Sequence, residues 1–139
     1  MKLNPYLTFN GNCEEAMNFY KDVLDGEITI MSRFEDAPQG EFQIPEFAKN
    51  LIMHCTLEFK GCTILASDTT EPDKFVIGSN TTLSINIDNL DEGSAIFYSL
   101  LDGGNAVMAL QDVFWGGQFG VLTDKFGMQW MIAINHNTD

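Results

Sequence analysis

The chain has 139 residues, 45% of them hydrophobic and 12% aromatic, which suits one compact domain and excludes disordered and collagen-like classes. Twenty acidic against seven basic residues leave a formal charge of −13, which repels phosphate backbones and anionic headgroups and argues against nucleic acid or a membrane surface as partner. No apolar run approaches the ~20 residues of a bilayer span and the opening residues do not resemble a secretory leader, so a cytoplasmic location is expected.

In chain order, residues 6–9 alternate and predict a short strand. Asn12, with Glu15 three residues on, has the layout of a helix N-cap, and Ala16, Phe19, Tyr20, Val23 and Leu24 form one apolar stripe behind it. Asp25 and Gly26 end that helix, with Gly26 expected to supply the positive φ. Residues 27–34 predict a second strand, and 35–50, with Pro38 and Pro45, a long loop. Residues 51–59 alternate: Leu51, Met53, Cys55, Leu57 and Phe59 share one face, and Ile52, His54, Thr56 and Glu58 the other. A Lys60-Gly61 hairpin turn leads into a partner strand at 62–68, and residues 69–79 read as a connector.

The second half repeats this order. Residues 81–88 predict a strand, Asn89 with Glu92 opens a helix with Ile96, Phe97, Leu100 and Leu101 as its stripe, and Asp102, Gly103 and Gly104 close it. Strands follow at 105–111, 118–123 and 128–135, the last two joined by a turn at 124–127. A shift of 77 superposes Asn12 on Asn89, Glu15 on Glu92, Leu24 on Leu101, Asp25 on Asp102 and Gly26 on Gly103. The expected organisation is α+β: a single domain of two βαβββ modules, about 4–68 and 80–135. Cys13, Cys55 and Cys62 are odd in number and form no CxxC pair, so reduced thiols are expected.

Residues 5–12, then Glu15-Ala16, Phe19-Tyr20, Ser67-Asp68, Phe114-Trp115 and the closing 123–132 segment together resemble the vicinal-oxygen-chelate superfamily and, within it, the PhnB-like branch. The resemblance implies two modules pairing as a cupped, mixed-sheet half-barrel with helices on the convex side, a small-molecule ligand on the concave face, and a homodimer. Its members include glyoxalases, extradiol dioxygenases and antibiotic-sequestering proteins. The branch often carries a demethylubiquinone methyltransferase label, yet no glycine-rich methyl-donor loop accompanies it here.

Metal-using relatives place ligands on the first and last strands of each module. Those positions fall here at 4–6, Leu65, Thr82 and Met131, a poor donor set for a hard cation, so no cofactor is expected. A rebuilt set of His54, Glu58 and Asp68 is the alternative, giving a divalent-metal enzyme of glyoxalase or dioxygenase type. The polar strand faces supply candidate ligand-binding residues: Tyr6, Thr8, His54, Thr56, Leu65, Ser67, Thr82, Ser84, Asn86 and Met131. They also suit ordinary solvated strand faces. His54 and Glu58 share a face and are the candidate acid–base pair if both side chains lean inward; a hydrogen-bonded structural role for His54 stays open. His136 falls in the C-terminal tail. Trp115, beside Gly116 and Gly117, suits a loop closing over a flat ligand.

Overall fold

The computed structural model describes residues 1–38, 40 and 43–135; His136 lies outside them. The chain divides into two compact units, Met1–Val76 and Ile77–Asp139, with the boundary inside the 69–79 stretch. The first contains β1 (Tyr6–Phe9), α1 (Cys13–Leu24), β2 (Glu27–Arg33), β3 (Ile52–Phe59) and β4 (Cys62–Asp68). The second contains β5 (Leu83–Ile87), α2 (Leu90–Leu101), β6 (Asn105–Asp112), β7 (Gln118–Thr123) and β8 (Gln129–Ile134). Their sheets have the same order, β1-β4-β3-β2 and β5-β8-β7-β6, each with one parallel pair and two antiparallel pairs. The fold is α+β, built from tandem βαβββ modules.

In the first unit, Leu7, Phe9, Cys55, Leu57, Ile64 and Ala66 are buried on the side where α1 presents Cys13, Ala16, Met17, Tyr20 and Leu24. Phe19 and Val23 flank that stripe rather than centring it. The alternation expected for β3 fails at one place. Arg33 pairs with Ile52 while Ser32 pairs with His54, so Met53 is bulged and Ile52 turns to the helix side, where it is 1% exposed. The Lys60-Gly61 turn has positive φ at both residues, as a type I′ hairpin requires.

The start of α1 differs from the sequence expectation. Asn12 makes no side-chain cap bond. Asp68, at the end of β4, instead accepts the amides of Gly11 (2.9 Å) and Cys13 (3.0 Å) on Oδ1 and that of Ile52 (2.9 Å) on Oδ2. A carboxylate 4% exposed thus closes the helix N-terminus and the bulged strand start together. The helix exit also differs: Asp25 takes the left-handed conformation (φ 52°), not Gly26. Gly26 is needed for space, since a Cβ there would lie 2.9 Å from the Glu58 carbonyl oxygen.

In the second unit, Asn89 caps α2 as expected, its Oδ1 accepting the Glu92 amide at 2.8 Å. Gly93 lets α2 approach β8 closely; a Cβ would fall 2.6 Å from Ile134. Trp130, Ile132 and Ile134 are buried beside Leu122, Phe97 and Leu100. The turn at 124–127 is organised by Asp124, whose Oδ1 accepts the amides of Phe126 and Met128 while Oδ2 accepts the Trp130 indole N–H at 2.9 Å. That motif therefore serves the hairpin. Asp68→Ala leaves three amides without their acceptor and is expected to cost ~3 kcal/mol or more. Asn89→Ala should cost ~1 kcal/mol, and Asn12→Ala less than ~0.5 kcal/mol. Urea denaturation of the three variants checks this order.

Candidate functional site

In each unit one helix covers one face of the sheet, and the other face carries the candidate side chains. Strand pairing arranges the first unit's helix-free face in rows. Tyr6, Leu65, Thr56 and Ile30 lie side by side across β1, β4, β3 and β2, and Thr8 with Ser67, and His54 with Ser32, stand in the neighbouring row. His54 Nε2 lies 2.9 Å from Thr56 Oγ1, and its ring stands 6.2 Å from that of Tyr6 at an interplanar angle of 41°. Thr56 is buried at 8% exposure whereas Tyr6 is 52% exposed, so the hydroxyl lies beneath an accessible imidazole and phenol. The set offers both hydrogen-bond donors and acceptors.

Glu58 shares this face but does not join His54. It is four residues along β3, ~13 Å away, and pairs with Glu27 and Thr63 instead. Asp68 is on the opposite, helix-covered face, committed to three amides. The structure therefore does not assemble His54, Glu58 and Asp68, and among the described residues no cluster of three or more His, Cys, Asp or Glu side chains could hold a metal ion. Ser32, beside His54, was not singled out by sequence. The Met53 bulge and a second irregularity between Ile28 and Ile30 obscure the alternation that would have placed it.

The second unit's corresponding face has different chemistry. Met108, Val121, Met131 and Ser84 form one row across β6, β7, β8 and β5, and Gln111, Phe119, Ala133 and Asn86 form the next. Thr82 precedes β5 and lies outside the sheet. Leu65 and Met131 occupy the same register position, pairing with Tyr6 and Ser84 respectively. By the same register His54 corresponds to Phe119, Thr56 to Val121 and Ser67 to Ala133. Trp115 is 64% exposed in a turn held by Val113 N–H donating to the Gly117 carbonyl (3.1 Å), with φ of 97° and 92° at Gly116 and Gly117. Its ring lies 4.8 Å from Phe114 and 6.5 Å from Phe119, both edge-on. The alternation of 118–123 could have identified Phe119 and Val121.

Residues 1–133 match the model of a family described as 3-demethylubiquinone-9 3-methyltransferase. The chain is 33% identical over 141 residues to Protein YjdN of Escherichia coli (strain K12), covering 96% of this chain and 95% of that one. It superposes with a TM-score of 0.85 and 33% identity on the crystal structure of protein PA1353 from Pseudomonas aeruginosa, covering 99% of each chain. A PhnB protein from Bacillus cereus gives a TM-score of 0.80 at 27% identity, over 96% of this chain and 99% of that one. The fold alone is shared with a glyoxylase/bleomycin resistance protein/dioxygenase domain from Frankia sp. EAN1pec, at TM-score 0.65 and 12% identity, over 97% of each chain.

The thiols stand apart from these faces. Cys13 and Cys55 are buried on the helix side of the first sheet, and Cys62 is exposed. Burial, reinforced by Asp68 and Cys55, raises the Cys13 thiol well above its ordinary range. Burial and the Glu14 carboxylate push Cys55 up to about 11. Neither is a nucleophile at neutral pH. A thiol reagent such as DTNB should therefore titrate one cysteine in the native protein and three after unfolding. Because the folded thiols hold their protons where unfolded ones release them, stability should fall as pH rises from ~8.5 toward 11, read as a declining urea midpoint.

Proposed function

The chain belongs to the family described as 3-demethylubiquinone-9 3-methyltransferase, the PhnB-like branch of the vicinal-oxygen-chelate superfamily, and from that membership we propose that it is a small-molecule-binding protein working without the superfamily's metal tetrad. The observation that carries this reading is the first unit's helix-free face, where Tyr6, His54, Thr56, Ser67 and Ser32 gather as hydrogen-bonding groups on one sheet. Such a surface orients a ligand through a few polar contacts. The superfamily's metal does not fit the residues present. Its last-strand positions hold Leu65 and Met131, and Thr82 is neutral and outside the sheet, a poor donor set for a hard cation.

The methyltransferase wording in the family's description is not carried over to this chain. Methyl transfer from a nucleotide-like donor uses a glycine-rich loop between a strand and a helix. Here the β1–α1 connection holds one glycine, Gly11, and the β5–α2 connection none. Relatives in the superfamily include glyoxalase-related enzymes, and His54 is the imidazole on this face, hydrogen-bonded to Thr56. Glu58 is not its acid–base partner, for the distance given above. Among the described residues no helix is long and apolar enough to cross a membrane. A cytoplasmic homodimer with no nucleic-acid or membrane partner completes the proposal.

Thermal-shift screening against neutral metabolites, followed by calorimetry on the hits, tests this reading. A hit should lose at least tenfold in affinity in His54→Gln and in Thr56→Val, ~1.4 kcal/mol each, with circular dichroism unchanged. Saturating manganese, nickel, zinc or iron(II) should add less than ~1 kcal/mol to stability. A larger metal-linked rise would favour the metal-dependent enzyme and sink the binder without a metal.

A further inference from the structure

The two helix-free faces occupy equivalent places in a repeated module, yet only the first has a hydrogen-bonding set at its centre. In the second, Phe119, Val121 and Ala133 stand where the first has His54, Thr56 and Ser67, and Met108 and Met131 flank Val121 in the same row. None of these five side chains is among the fully buried core, and Met108 is 41% exposed. Trp115 extends the apolar surface outward, edge-on to Phe119, from a turn whose two glycines carry positive φ. An aromatic side chain 64% exposed on a loop of this kind, next to two thioethers and a phenyl ring, has no role in covering the core.

We propose that this face of the second unit is a binding subsite for a flat aromatic cation, with Trp115 and Phe119 as its aromatic contacts and Met108 and Met131 as its deformable floor. The inference rests on the small-molecule reading above and adds the chemical class of ligand. Flatness follows from the surface: a sheet face lined by Val, Ala and Met side chains accepts a planar ring over its area, and thioether sulfurs make favourable contacts at ring edges. The sign of charge follows from three facts. Neither row of the face contains a Lys or Arg. The chain as a whole carries −13. Indole and phenyl faces attract cations. An anionic ring system meets the same apolar contacts but is opposed by the protein's field, with no Lys or Arg in either row to offset it.

The test uses two fluorescent planar probes of opposite charge, proflavine and pyrenesulfonate, titrated with the full-length protein and followed by dye anisotropy at low and moderate salt. Proflavine should bind saturably, at least tenfold more tightly than pyrenesulfonate, with the difference shrinking as salt rises. Trp115→Leu should weaken proflavine binding about tenfold, and Met108→Glu, by adding a carboxylate at an exposed position, should raise the preference for proflavine over pyrenesulfonate. Both positions are exposed, so the fold is not at stake, and Phe47→Ser, an exposed phenyl of the first unit, serves as the unaffected control. Equal binding of the two dyes, or proflavine binding indifferent to Trp115→Leu, overturns the proposal. If proflavine fails to bind while a neutral metabolite binds in a His54-dependent way, this inference falls and the small-molecule reading stands. If neither binds, both fall.

Discussion

One buried carboxylate governs the first module. Asp68 ends the strand that lies between β1 and β3, and its two oxygens take amides from the helix entrance and from the start of β3. A carboxyl side chain at 4% exposure is tolerable because each oxygen meets N–H donors rather than hydrocarbon, and those donors would otherwise be orphaned at a helix terminus and a strand bulge. The helix, the bulge and the placement of His54 on the open face are thereby tied to one residue. Moving Ile52 to the helix side brings its amide to Asp68 and leaves His54 paired with Ser32.

The second module solves the same problem locally. At the position equivalent to Asp68 stands Ile134, which packs against Gly93 of α2, and the helix entrance is capped by its own Asn89. The two copies thus share strand order and register while differing in how the helix is fastened: a long-range polar tie in one, close apolar packing with a short-range cap in the other. The open faces diverge in parallel, the first keeping hydrogen-bonding groups at its centre and the second converting to hydrocarbon, thioether and aromatic surface. Repetition of backbone has not meant repetition of chemistry.

Where local pattern decided the outcome, it was legible from residues alone. Helix α2 with its Asn89 cap, the Lys60-Gly61 turn, and the faces of β4, β5 and β8 all follow from alternation, capping and glycine placement. What escaped were features set by distant contacts. Asn12 looks like a cap but the bond is made by a residue 55 positions away from Cys13. Gly26 looks like the left-handed residue, yet the strand packed over it demands space there, and Asp25 takes the turn. Asp68 reads as a candidate metal ligand beside His54 and Glu58, and only the tertiary structure shows both oxygens engaged by amides. The candidate site itself was half visible: parity groups Tyr6, Thr8, His54, Thr56, Leu65 and Ser67, while bulges conceal Ser32.

The offset between the copies is not constant. Phe9 and Ile87 hold matching strand positions 78 apart, the caps Asn12 and Asn89 are 77 apart, and Gly26 and Gly104, each pressed against the carbonyl of a neighbouring strand, are again 78 apart. One residue has been lost before the helix and one gained after it, where Asp102 precedes the left-handed Gly103. The helix therefore behaves as a cassette threaded between two joints that can trade length with each other, so that insertions and deletions in lineages carrying this module can accumulate at its ends while the strand ladder, and the side chains it aims, stay in step.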